Sequence, residues 1–286
     1  MLDFAYKLAR KCMTGSTYET IRGSFFGRKQ RLETLDTYRN IFYKYQEITE
    51  KDFNGKIVLE VGCGNQIFTA LFLLAAGCEK VILLDPALKI FNDDEHFKRS
   101  LALFKAETSN FSLSEDEVRK SLLHINDLQE ITDTLNGKIH FIFTHFVLEH
   151  FEDLDIFFSA VNKLLSPDGI SFNKVDLSDH TYHIFDRFRF SSFLNKTNNL
   201  NHLRYSAKQF AFINDKKCFM NRFLLPIYLQ KAVAHNLVCK IIKKDIFYKN
   251  VPIHKDIVKE LDVFLEDDLK TTIFEMLLFK NGGNFD

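Results

Sequence analysis

The chain has no Trp, no net excess of charge, no paired cysteines and no long apolar run, and most of these absences remove a class of function. Lys and Arg total 38 and Asp and Glu total 38 over 286 residues, with the signs interspersed. A nucleic-acid binder concentrates basic charge on one face, so this balance argues against that role. Basic residues gather around positions 7–11 and 22–31 (RGSFFGRKQR), the kind of run that is more often a solvated face. The five cysteines, Cys12, Cys63, Cys78, Cys218 and Cys239, are odd in number and lack CxxC or zinc-ligand spacing. They predict reduced thiols of a cytoplasmic protein. Residues 1–11 (MLDFAYKLARK) lack an apolar h-region with a cleavage site, which predicts no signal peptide. Apolar runs such as 70–76 are too short to cross a bilayer. No internal repeat, heptad run or low-complexity tail is present. The 31 Phe and 9 Tyr carry no functional implication by themselves.

What is present is an alternation. Residues 1–50 carry apolar positions at spacings of three and four (Phe4, Leu8 and Cys12; Leu35, Tyr38, Ile41, Phe42 and Tyr45), which predicts a helical cap interrupted at Gly15 and Gly23. From residue 51 the pattern is strand, loop and helix in turn. KIVLEV is a strand, GCGNQ a turn, IFTALFLLAAG a helix closed by Gly77, and VILLD a strand apolar on both faces. A helical region over 87–106 and a capping box at Ser114–Glu117 follow. SLLHIND and KIHFIFTHFVL are the third and fourth strands. DLDIFFSAVNKLL is a helix stopped by a type I turn at Ser166-Pro167-Asp168-Gly169, and ISFNKVD is the fifth strand. This order predicts an α/β fold with a doubly wound, mainly parallel sheet. Residues 177–221 break the alternation as a polar, aromatic insertion, which after a strand's C-terminal end lies beside the ligand crevice. A helix over 223–236, a strand over 238–246, a helix over 253–269 and a last strand over 271–279 complete the prediction.

The turn Glu60-Val61-Gly62-Cys63-Gly64 ends the first strand. Glycines there let backbone approach a ligand, and the following helix offers unpaired N–H groups. Asp85 ends the second strand, where a carboxylate can accept both hydroxyls of a ribose. The third glycine of a dinucleotide turn is missing, with Ile67 in the region where it would fall, and no G-x-x-x-x-G-K-[ST] phosphate loop exists.

VLEVGCG, then LLD, then FTHFVLEHFEDLDIFFSAVNKLLSPDGI resembles the class I S-adenosylmethionine-dependent methyltransferases. The match is direct over residues 56–175 and by pattern only beyond them. It implies a Rossmann-like seven-stranded, mostly parallel sheet with the last strand antiparallel, the N-terminal cap at 1–50, and a methyltransferase domain at 51–286. It implies S-adenosyl-L-methionine as cofactor. Glu60, Gly62, Cys63, Gly64 and Gln66 line the methionine end; Asp85, with Pro86 after it, holds the ribose; Asp127 faces the adenine amino group; His145 and Phe146 border the methyl-transfer site. Two positions depart from the pattern: Gln66 stands where a third glycine is frequent, and His140 where Asp is frequent.

A hydroxyl acceptor needs a base, and His is the usual choice near neutral pH. His180 follows the fifth strand and is a base oriented by Asp176 or Asp179, or else a surface-loop histidine. His150, in LEH, is catalytic or shapes the pocket. The polar residues 176–186 are read as a loop without metal. DLSDH at 176–180 with LNHLRYS at 200–206 resembles bacterial methyltransferases associated with surface-glycan biosynthesis. That likeness implies O-methylation of a small-molecule or glycan acceptor, with Asp176, Asn201 and Arg204 near it. For the last two the alternatives are a helix-capping Asn and a surface Arg. The other readings are a non-catalytic S-adenosylmethionine-binding protein and a nucleic-acid methyltransferase, the latter disfavoured because TH-FVLEH replaces an Asn/Asp-Pro-Pro-Tyr/Phe motif.

Overall fold

Parallel strands rich in Val, Ile and Leu are stable only when both faces are covered, and that requirement organises the molecule. The computed structural model describes residues 35–50, 52–64, 66–86, 88–179, 200–214, 219–247, 253–258 and 266–282. β1 (Ile57–Val61), β2 (Lys80–Leu84), β3 (Leu122–Ile125), β4 (Ile139–His145) and β5 (Leu165–Asp176) run parallel. β7 (Thr271–Lys280) lies antiparallel between β5 and β6 (Leu237–Ile246). The order is β3-β2-β1-β4-β5-β7-β6, the predicted seven-stranded sheet with its last strand antiparallel.

α1 (Leu35–Thr49), α2 (Phe68–Ala75), α3 (Asp94–Glu107) and α4 (Glu115–Ser121) cover one face. α5 (Gln129–Thr132), α6 (Leu154–Leu164) and, after α7 (Ala207–Ile213), α8 (Leu225–Ala234) cover the other. Aromatic rings fill the first face. Tyr45 of α1 stacks on Phe143 of β4 at 3.9 Å between centroids, and Phe42 stacks on Phe72 of α2 at 5.6 Å. Helix 35–49 therefore shares the core of the sheet it covers.

Local signals explain several helix starts. Ser114 and Glu117 form the predicted capping box of α4, Asp93 caps α3, and Asp153 caps α6. The region read as one helix over 87–106 is a 3₁₀ turn at Ile90–Asn92 followed by α3. Residues 166–169 are a bulge inside β5 rather than a turn before it. Pairing with β4 passes from Ile139↔Leu165 to Phe141↔Ile170, so β5 advances five residues where β4 advances two. The helix predicted over 253–269 is described as α9 (Lys255–Val258) and α10 (Glu266–Leu269).

Tyr45 is 1% exposed. Tyr45→Ala is expected to remove about 3 kcal/mol or more of unfolding free energy, as for a buried aromatic truncated to Ala. Chemical denaturation measures the loss.

Candidate active site

The C-terminal ends of β1, β2 and β4 lie side by side, with Val61 paired to both Leu84 and Thr144. The glycine turn, Asp85 and His145 therefore emerge along one edge. Gly62 adopts φ +79°, and a Cβ there would stand 2.2 Å from Val147 Cγ2. Gly64 adopts φ +69° with open space where its Cβ would be, so its backbone is exposed to an approaching ligand. The Gly64 amide donates to Asp85 Oδ2 at 2.7 Å, which ties the turn to the end of β2. Asp85 is half-buried and Pro86 exposed. His124 of β3 lies 3.2 Å through Nε2 from the Asp85 carbonyl and stacks on Phe91.

Glu60 points its carboxyl into this edge from β1 and is 6% exposed, and its Oε2 has no hydrogen-bond partner. Burial raises its pKa to about 7; the Thr69 hydroxyl opposes the shift and the Asp85 charge adds to it. Cys63 is buried, and its thiol is pushed up by burial and by Glu60 and Asp85. Gln66 borders a cleft of about 520 Å³ shared with Phe68, Asp93, His96, Arg99 and Leu103. Asp127 is exposed; its Oδ1 accepts the Gln129 amide at 2.8 Å and its own amide donates to Glu130.

At the end of β4, His145 is held neutral with a pKa of about 4, first by burial and then by the Lys174 ammonium. Phe146 takes φ +60°, rare for a side chain of its size, and its amide donates to the Lys174 carbonyl at 2.8 Å. The 3₁₀ turn Leu148–His150 then splits the LEH sequence. His150 is exposed and its Nδ1 donates to the Phe219 carbonyl. Glu149 turns inward, 1% exposed, and no donor meets either carboxyl oxygen with good hydrogen-bond geometry. Burial holds its pKa well above the usual carboxylate range; Asp176 adds to this, and its own amide and that of Asp176 partly oppose it. Asp176, 9% exposed at the end of β5, accepts the Ser178 amide at 2.8 Å.

The profile of the family described as methyltransferase domain matches residues 33–223. The chain belongs to this family. It is an S-adenosylmethionine-dependent methyltransferase. No curated protein matches the chain in sequence. The chain is similar to the YcgJ protein of Bacillus subtilis, at 13% identity over 85% of this chain and 100% of that one, with a TM-score of 0.47. It is also similar to the S-adenosylmethionine dependent methyltransferase of Mesorhizobium loti, at 13% identity over 82% and 96% of the two chains, with a TM-score of 0.42.

The methyltransferase's own residues fit its cofactor. The turn supplies backbone without side chains at Gly62 and Gly64, Glu60 supplies a buried carboxyl oxygen lacking a partner, and the Asp85 carboxylate lies against the turn at the Gly64 amide. Asn201 opens the 3₁₀ turn Asn201–Arg204, and Arg204 is exposed. α7 is capped by Ser206 and Gln209 rather than by Asn201. His180 lies outside the described residues. Sequence reasoning singled out His150 and passed over Glu149 and Lys174. The adjacent acid in LEH was the available signal for Glu149.

In the fold Glu60 keeps its proton up to about pH 7, against 4.5 ordinarily. The folded state thus binds the extra proton between those values, and stability falls as pH rises through the interval. The expected fall is about 3 kcal/mol. Glu60→Gln should flatten that slope in urea titrations repeated from pH 4.5 to 8; an unchanged slope removes Glu60 as its source.

Proposed function

We propose that this methyltransferase transfers a methyl group to an oxygen of a small-molecule or glycan acceptor. The observation that carries the reading is the character of the crevice wall beside β4. Burial lowers the pKa of the half-buried His145 to about 4 and raises that of the buried Glu149, so the wall disfavours charge on both of these groups. Such a wall suits a hydroxyl being aligned and relieved of its proton.

In this reading Glu60, Gly62, Cys63, Gly64 and Gln66 hold the methionine end, Asp85 and Pro86 the ribose, and Asp127 the adenine amino group. His145 and Phe146 border the transfer path, and Asp176, Asn201 and Arg204 face the acceptor. The bound cofactor supplies a sulfonium methyl whose C–S bond breaks, leaving the electron pair on sulfur, as an acceptor lone pair forms the C–O bond. Because charge is neutralised in that step, alignment by the protein supplies much of the rate. His180 is proposed as the base that takes the hydroxyl proton, with His150 as the other candidate.

Glu60 meeting the cofactor's ammonium is expected to ionise, since an opposite charge favours the charged form. Titration calorimetry of S-adenosylmethionine at pH 6.5 should then show proton release, seen as a binding enthalpy that changes with buffer ionisation enthalpy. A buffer-independent enthalpy would separate Glu60 from the ammonium. His180→Ala should lower methylation about 100-fold with cofactor affinity unchanged, the size of a general-base contribution. Mass spectrometry of the product should place the methyl on oxygen; a methyl on nitrogen or carbon overturns the proposal.

A further inference from the structure

The chain leaves β2 at Asp85, and whatever fixes that exit decides where the carboxylate points. From the β1 side the Gly64 amide donates to Asp85 Oδ2 at 2.7 Å. From the β3 side His124 reaches the main chain of the same residue, its Nε2 3.2 Å from the Asp85 carbonyl. A carbonyl oxygen only accepts, so the ring nitrogen facing it carries the hydrogen. The same carbonyl also accepts the Leu88 amide at 3.1 Å. His124 stands on β3 opposite Leu83, two residues before Asp85. Its ring lies flat against Phe91, with centroids 5.6 Å apart and planes 9° from parallel. Phe91 belongs to the 3₁₀ turn Ile90–Asn92, on the way from β2 to α3. One imidazole thus holds this connection at its start, through the Asp85 carbonyl, and again at Phe91. The sheet itself does not call for either contact, because β2 and β3 already pair from Val81↔Leu122 to Leu84↔Ile125.

We propose that His124 is a positioning residue for cofactor binding, which holds the Asp85 main chain so that its carboxylate faces the ribose. The inference rests on the reading of Asp85 as the ribose contact and adds the residue that keeps this contact in place. His124 acts through Asp85 and does not itself touch the cofactor. Two holds divide the work. The Gly64 amide fixes one carboxylate oxygen, and His124 fixes the backbone from which the side chain starts. A carboxylate that accepts two neighbouring hydroxyls must face both, so a small turn of that backbone weakens binding, as for any site whose supporting shell is loosened.

The test is titration calorimetry of S-adenosylmethionine on the full chain. His124→Phe keeps an aromatic ring to stack on Phe91 and removes the N–H. It should weaken cofactor affinity about tenfold, the upper end of what one hydrogen bond contributes. His124→Gln carries a side-chain N–H about as far from the backbone and should stay within about threefold of the unsubstituted protein. Asp85→Asn should weaken binding by itself. Adding His124→Phe to it should then cost less than about twofold, since residues that act through one contact are not additive. A packing role for His124 would instead give the same loss with or without Asp85→Asn. Unchanged affinity in His124→Phe, a His124→Gln variant as weak as His124→Phe, or the full loss on top of Asp85→Asn overturns the inference and leaves the Asp85 reading standing. Unchanged affinity in Asp85→Asn overturns that reading and this inference together.

Discussion

There is no room for a side chain at Gly62. Its missing Cβ is the space that Val147 fills, and its φ of +79° turns the chain away from β1 within one residue. Gly62 also donates its amide to the Leu84 carbonyl at 2.7 Å. One residue thereby fixes the relation of three strand ends: β1 before it, β2 through the hydrogen bond, and β4 through Val147. The rest of the site hangs on that relation. Asp85 reaches the Gly64 amide only because β2 ends level with the turn. The Leu148–His150 turn is set in place by Val147, so the inward direction of Glu149 follows from the same contact. A larger residue at position 62 would disturb both walls of the crevice at once.

The parts of this arrangement visible in the sequence are those written in local chemistry. Two glycines after a β-branched run, an acid at the end of the next apolar run, and Ser-x-x-Glu before a helix each dictate backbone within a few residues. The fold and the cofactor edge follow from them. What the sequence hid depends on pairing between distant segments. Residues 166–169 have turn chemistry, and only their register against β4 shows that pairing resumes beyond them as part of one strand. In LEH the histidine is the conspicuous chemical group, yet a 3₁₀ turn presents it outward to Phe219 and sends the less conspicuous glutamate inward. Lys174 looks like an ordinary strand lysine until β7 brings Glu275 beside it from 101 residues away in the chain. His140, which stands where Asp is frequent in the family's pattern, keeps an acceptor's duty: its Nδ1 takes the Ile57 amide at 3.2 Å.

Three buried glutamates show how the sheet edge manages charge. A carboxylate moved out of water must be paired, hydrogen-bonded or protonated. For Glu149 burial favours the last course, and the Asp176 charge acts in the same direction. Glu60 is poised near neutrality, with Thr69 and Asp85 acting in opposite directions on it. Glu275 takes the first course, facing Lys44 at 3.5 Å and Lys174 at 3.8 Å, with Lys44 also 3.8 Å from Glu47. The three lie along one edge in order of strands β1, β4 and β7 and meet the cost of burial in different ways. The place of Glu275 depends on β7 being antiparallel, because the reversed strand sets it against Lys174, two residues before the end of β5.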